Sequence, residues 1–317
     1  MLAVVTILAA ATATLVMALY ANRPFAQAPG LGLNAFFAFT VVGALGVPWQ
    51  TALAAVVVEG VLFIVLTAVG AREYVVGLFP KPVKFAVGTG IGLFLAIIGL
   101  QAMGIVVDDP ATLIALGSVA SNPVAILSVV GLFLTLGLYA RDVPGSIIIG
   151  IVLTTVAGWV LTRFGPISPE AGLVAGSAAV TYDITPLAGA FIDGLANVEA
   201  FTFALVVFTF FFVDFFDTAG TLVGVGQAGG FLDENGRFPD IDRPLMADAI
   251  GTTVGGALGT STVTTYIESA SGVEEGGRTG LTALTVAGLF VVSLILVPLA
   301  AAIPLYASHI ALVVIGV

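Results

Sequence analysis

Residues 49–70 carry one charged side chain, Glu59, and residues 85–106, 123–140, 144–162 and 280–303 carry none. A helix needs about 20 apolar residues to cross the hydrocarbon core of a bilayer, so each stretch reads as a membrane span. Segments 2–21, 35–47, 198–227 and 244–258 extend the series, and another apolar segment runs from about 306 to Val317. The chain is 59% hydrophobic and 9% charged, against about 25% charged in a soluble domain. That balance excludes a soluble enzyme and a disordered protein, and a net charge of −10 excludes a nucleic-acid binder. The length accommodates about ten to twelve spans. Absence of cysteine removes disulfides and thiolate chemistry, and a single histidine, His309, removes multi-histidine metal sites and paired haem ligands.

The charges mark the loops. Arg72, Glu73, Lys81 and Lys84 fall in one, Asp108 and Asp109 in the next, Arg141 and Asp142 in a third, and Asp233 to Arg243 form the longest charged stretch. Basic residues favour the cytoplasmic side, so 71–84, 141–143 and 228–243 are expected inside, and 107–122 and 163–197 outside. The apolar segment at residue 2 lacks the basic flank of a cleavable signal. It and the last segment start and stop without a polar flank, so both ends are expected to lie within a longer membrane protein.

Two places break the helical pattern. Residues 23–36 hold Pro24, Pro29, Gly30 and Gly32, which do not fit a regular helix. Residues 259–269 run Gly-Thr-Ser-Thr-Val-Thr-Thr-Tyr-Ile-Glu-Ser, and their β-branched residues favour extended chain. Irregular backbone at membrane depth is tolerated only inside protein or around a cavity, because lipid cannot satisfy bare N–H and C=O groups. Two interrupted spans in corresponding positions point to the binding site of a transporter built from repeats.

Acidic residues in the apolar sequence are the next signal. Asp214 and Asp217 lie three residues apart, on one helix face. A carboxylate at the centre of a span costs about 2.5–3.5 kcal/mol, and two this close disfavour double ionisation, so the pair is suited to holding a proton; the alternative is a polar pair that holds helices together. Glu268 sits in the second break, either in the site or as a carboxylate just outside the membrane. Asn34 sits in the first, as the N-cap of helix 35–47, as a ligand contact, or as both. Glu59 reads as a helix–helix hydrogen bond, Asp248 as a residue near a helix start, and His309 as interfacial. Gly224 to Gly229 match G-x-G-x-x-G but follow a span rather than a strand, and Asp233-Glu234-Asn235-Gly236 reads as a turn. No nucleotide-binding or protease motif occurs, so neither an ATP-driven pump nor an enzyme is expected.

Three stretches, 28–37, Val213-Asp214-Phe215-Phe216-Asp217-Thr218-Ala219-Gly220-Thr221 and 259–269, together with Gly276-Gly277-Arg278-Thr279-Gly280-Leu281, closely resemble the AzgA-like purine permeases. These belong to the nucleobase–cation symporter-2 (nucleobase–ascorbate transporter) superfamily, and the resemblance covers essentially the whole chain. It implies an all-α polytopic membrane fold of fourteen spans in two inverted repeats of seven, with a core and a gate domain interleaved across both. By that pattern, residues 1–197 are the first repeat without its first span, and 198–317 the second without its last two. The implied activity is import of purine nucleobases (hypoxanthine, guanine, adenine) across the plasma membrane by proton symport, with no cofactor and with a homodimer as a possible assembly. The two extended pieces are expected side by side near mid-membrane. The residues carried over for substrate are Gly32, Leu33, Asn34, Phe36, Asp217, Thr265 and Glu268, with Phe36 covering a ring face; those for the proton are Asp214, Asp217 and Glu268. Two other readings stay open: a truncated, non-transporting membrane remnant, and a carrier of anions or other nucleobases with the related fold. Anions are disfavoured by the acids at the breaks and by the absence of basic residues between Arg163 and Arg237.

Overall fold

A computed structural model describes residues 1–71, 81–165, 167–175, 180–196, 198–234 and 238–316. Arg72, Glu73 and Arg237, which bear on the orientation of the chain, lie outside the described residues, as do the side chains of Lys81 and Lys84.

The apolar segments form helices close to the expected bounds. Helix α1 (Leu2–Val16) continues as a wider π-helix over Met17–Ala21 and stops at Asn22, which adopts the left-handed conformation. Strand β1 (Gln27–Pro29) follows, then α2 (Leu31–Ala35), which widens into a π-helix over Phe36–Ala44. The next helices are α3 (Trp49–Ala68) and α4 (Lys81–Ala102). Strands β2 (Val106–Asp109) and β3 (Leu113–Leu116) pair as an antiparallel hairpin. Helix α5 (Pro123–Tyr139) is capped by Asn122, whose side chain accepts from the backbone N–H groups of Val124 and Ala125. After α6 (Ser146–Phe164) and the short α7 (Phe191–Ala196) comes α8 (Ala200–Ala228), capped by Glu199. Then follow α9 (Asp242–Leu258), β4 (Val263–Thr265), α10 (Ser269–Glu274), α11 (Gly280–Ser293), α12 (Val297–Ala301), α13 (Leu305–Ser308) and α14 (Ile310–Gly316). Among the described residues five helical segments are long and apolar enough to cross a membrane: Leu2–Ala21, Trp49–Ala68, Ser146–Phe164, Ala200–Gln227 and Gly280–Ala301.

Two expectations shift. The helix after the first break begins at Leu31 rather than 35, because Gly30 takes the extended N-cap conformation; Asn34 therefore lies inside the first turn and is not the cap. Asp248 lies well inside α9 and is fully buried, not near a helix start in reach of the dipole.

The chain divides into two compact units. The first comprises residues 1–88 and 181–295. Its central helix is α9, which packs on both α1 and α3. Glycines make this possible. A Cβ on Gly251 would stand 2.7 Å from the Ala13 side chain of α1, and one on Gly256 would stand 2.8 Å from Val57 of α3. Gly60 of α3 in turn receives Thr253. Small residues at such crossings let backbones approach where lipid offers no hydrophobic drive for association. The same crowding on all sides is what buries Asp248.

The second unit comprises residues 89–180 and 296–317. Helices α5 and α6 interlock reciprocally: Gly131 of α5 makes room for Thr154 of α6, and Gly150 of α6 makes room for Thr135 of α5. Both threonines return their hydroxyls to their own helix, Thr135 to the Gly131 carbonyl and Thr154 to the Gly150 carbonyl, each at 2.7 Å. The pair thus buries polar groups without leaving one unsatisfied.

Candidate functional site

The two breaks meet. β1 and β4 pair antiparallel, with Gln27 opposite Thr265, Ala28 opposite Thr264 and Pro29 opposite Val263. Backbone bonds extend the ladder at each end, Gly30 N–H to the Thr262 carbonyl at 3.1 Å and Tyr266 N–H to the Ala26 carbonyl at 3.0 Å. The Tyr266 hydroxyl donates to the Pro29 carbonyl at 2.5 Å, and Thr252 of α9 donates to the Val263 carbonyl at 2.6 Å. Broken chain at membrane depth thereby satisfies its backbone internally.

Helix α8 runs past this ribbon and delivers its acids there. Asp214 is fully buried, whereas Asp217, one turn on, is partly exposed. A Cβ on Gly30 would stand 3.7 Å from Asp217 Oδ2, so the carboxylate lies against the bare backbone at the start of α2. Thr218 links α8 to both partners: its hydroxyl lies 2.9 Å from Thr264 Oγ1 on β4, 2.9 Å from Asp248 Oδ1 on α9 and 3.3 Å from Asp214 Oδ1. Behind the ribbon, Gln27 is fully buried between Asp248, Thr265 and α1. In the orientation that best satisfies its surroundings, its amide donates to the Ala13 carbonyl at 3.0 Å and accepts from Asp248 N–H and the Thr265 hydroxyl, each at 3.2 Å.

The carried-over residues divide. Asn34 bridges the breaks, accepting from the Ser261 hydroxyl at 2.5 Å and donating to the Pro29 carbonyl at 3.5 Å. Gly32 and Phe36 are half-buried at the start of α2, and the Phe36 ring meets Phe210 edge-on at 5.3 Å. Three placements differ from expectation. The Leu33 side chain is buried in an apolar cluster with Val207 and Phe210, which leaves only its backbone for a ligand. Thr265 turns its hydroxyl away to the Gln27 amide, at 3.2 Å. Glu268, expected at a site where burial is costly, is exposed just before α10. Glu59 is fully buried and accepts from Thr262 of the second break at 3.1 Å.

Gln27, Thr218 and Asp248 were not legible as site residues. Thr218 stands one turn after Asp214, and Asp248 is the only acid between residues 244 and 258; each signal exists but is no stronger than that of a capping or structural polar residue.

A multi-pass helical membrane protein whose two interrupted spans pair around buried and half-buried carboxylates is built as a membrane transporter. Solved structures share the fold. The transmembrane domain of a cyanobacterial bicarbonate transporter, BicA, superposes with a TM-score of 0.68 at 19% identity over 98% of this chain and 80% of that one. The murine anion transporter Slc26a9 in its inward-facing state gives 0.62 at 11% identity, over 98% of this chain and 57% of that one. The chain belongs to the permease family, whose xanthine/uracil-type model matches residues 1–317. Among its relatives, the putative permease MJ0326 of Methanocaldococcus jannaschii is 46% identical over 313 residues, 99% of this chain and 70% of that protein. The adenine permease AdeP of Escherichia coli is 40% identical over 99% of this chain and 68% of its own length. The guanine/hypoxanthine permease PbuG of Bacillus subtilis is 40% identical over 98% of this chain and 69% of its own.

Proposed function

We propose that this chain carries a purine nucleobase across the plasma membrane by proton symport. The observation that carries the reading is the pairing of the two breaks beside Asp217: bare backbone at Gly30, the Asn34 amide and two reachable carboxylates, Asp217 and Glu268, converge on one unit. A purine is a flat ring edged with donors and acceptors. Asp217 and Glu268 accept from ring N–H groups, the Asn34 amide and the start of α2 bond the remaining edge, and Phe36 covers a face. Gly32 and Leu33 contribute backbone. Because the ligand is neutral, accumulation needs a coupled ion, and acids inside the membrane supply a site for a proton. The adenine and guanine/hypoxanthine permeases among the relatives support the substrate class.

The order helix, strand, half-helix, span occurs twice, at 2–21, 27–29, 31–44 and 49–68 and again at 242–258, 263–265, 269–274 and 280–301. This supports two inverted repeats. The test is uptake of radiolabelled adenine, guanine and hypoxanthine by cells lacking their own nucleobase carriers, with and without a protonophore. Glu268→Gln and Asp217→Asn are expected to abolish accumulation at unchanged expression. Wild-type accumulation by either variant, or uptake indifferent to the protonophore, refutes the reading.

A further inference from the structure

The Asn34 side chain is held from two sides, and the two grips are unequal. Its Oδ1 accepts from the Ser261 hydroxyl at 2.5 Å, while its Nδ2 reaches the Pro29 carbonyl only at 3.5 Å, the outer limit of a hydrogen bond. The neighbours fix which end of the amide is which. Turned over, it would set its oxygen against the Pro29 carbonyl, two acceptors with no hydrogen between them. That carbonyl also accepts from the Tyr266 hydroxyl at 2.5 Å, so its shorter bond is already made. Ser261 is buried, whereas Asn34 is half-buried, on the same short helix as Gly32. The amide oxygen is therefore well satisfied by a buried partner, and the nitrogen keeps two hydrogens for one long contact.

We propose that Ser261 is a positioning residue that sets specificity: it pins the Asn34 amide so that the side chain donates to the ligand, and the site grips a purine by one of its acceptor atoms. This builds on the nucleobase function proposed above and gives the ligand edge a polarity. Of the side chains assigned to that edge, Asp217 and Glu268 accept as carboxylates, which leaves Asn34 to donate. A purine matches this set, with ring N–H groups toward the carboxylates and a ring nitrogen or an oxo group taking the amide hydrogen. Ser261 belongs to the second break and Asn34 to the first, so the pairing of the breaks also orients the donor. Without the hydroxyl the amide loses its short bond and turns more freely about Cβ–Cγ, a torsion that is broad for asparagine, and the donor is no longer aimed. A site built to bond a ligand atom rejects the analogue lacking it, because its own polar group is then left unpaired.

The test is competition against radiolabelled uptake of whichever of adenine, guanine and hypoxanthine the cells accumulate. The competitors are analogues that each lack one acceptor, either a ring nitrogen replaced by carbon or the oxo group removed. One of them is expected to compete about tenfold more weakly than the parent purine. Ser261→Ala and Ser261→Cys are expected to cut that ratio to about threefold or less, and Ser261→Thr, which keeps the hydroxyl, to preserve it. Asn34→Asp retains an acceptor for Ser261 but has no N–H, and is expected to erase the ratio. If every analogue competes as well as the parent, no acceptor is gripped and the proposal is overturned. If Ser261→Ala and Ser261→Cys weaken all competitors alike and keep the wild-type ratio, the Ser261 bond is only a staple between the breaks; the proposal then falls while the nucleobase function stands. A wild-type protein that accumulates none of the three purines refutes the nucleobase function, and the proposal with it.

Discussion

Gly30→Ala is the sharpest perturbation available at the site, because it adds one methyl group where two segments separated by more than two hundred residues touch. The backbone at Gly30 has φ −62° and ψ 131°, a conformation alanine adopts freely, so the substitution introduces no backbone strain. Its cost is steric. The new Cβ would stand 2.8 Å from Thr264 Cγ2, 3.3 Å from Leu33 Cδ1 and 3.7 Å from Asp217 Oδ2. Carbon atoms pack at about 3.5–4.0 Å, so Thr264 must retreat by roughly 0.7 Å or more. It cannot do so cheaply: it is β-branched, nearly fully buried, paired with Ala28 and bonded to Thr218. Overpacking of this kind costs about 1–3 kcal/mol, equivalent to roughly a fivefold to hundredfold change in an equilibrium constant. Thermal unfolding in detergent and nucleobase uptake are both expected to fall. Thr264→Ser removes the offending methyl and keeps the hydroxyl, so the double variant is expected to recover most of the loss in a double-mutant cycle. If Gly30→Ala melts and transports as wild type, or if Thr264→Ser adds to the damage instead of relieving it, the close approach of the two breaks is wrong.

Other predictions concern the scaffold. Gly150→Val drives a branched side chain into Thr135 of α5, whose Cβ would stand 2.9 Å from even a methyl at position 150; a loss of about 1–3 kcal/mol is expected and is read as a lowered melting temperature. Arg23→Ala removes a guanidinium that sits 4.9 Å from the Phe238 ring centroid and 5.4 Å from that of Phe231 and donates to the Pro239 carbonyl; a loss of about 1–2 kcal/mol is expected in the same assay, and an unchanged melting temperature would contradict it. Asn122→Ala removes the cap of α5, costing about 1 kcal/mol, and Asn122→Ser is expected to recover most of it. Glu199 predicts a pH dependence. The Thr202 side chain, then its backbone N–H, hold this exposed carboxyl below the usual glutamate range. A depressed value contributes stability above the unfolded pKa that is lost as pH falls through the folded one, so melting curves of Glu199→Gln are expected to lack that acid-side loss.

Much of the scaffold was legible from local chain physics. Charge-free runs placed the spans because a lone charge in hydrocarbon is costly, and the bounds of α3, α5, α6, α8 and α9 fall within a few residues of expectation. Pro24, Pro29 and Gly30 in one break, and Gly259 with its Thr-Val-Thr-Thr run in the other, announced non-helical backbone because their conformational preferences are properties of the residues themselves. Asp214 and Asp217 stood out as a pair because helical spacing is a short-range rule.

Depth and partnership were decided elsewhere. The register that sets Gln27 against Thr265 joins residues far apart in the chain, and no local pattern encodes it. Asp248 read as a helix-end acid until Gly251 and Gly256 let α1 and α3 close over α9. Leu33 and Asn34 are neighbours in sequence, yet the first enters the apolar cluster around Phe210 while the second reaches Ser261. Glu268, in the second break, read as either a site acid or a carboxylate just outside the membrane, and it stands exposed just before α10. Sequence by itself determined where helix must stop and where charge is expensive, because both depend on a residue and its near neighbours; tertiary structure alone decided which carboxylates share Thr218 and which face outward, because hydrogen-bond partners and burial depend on which helices meet.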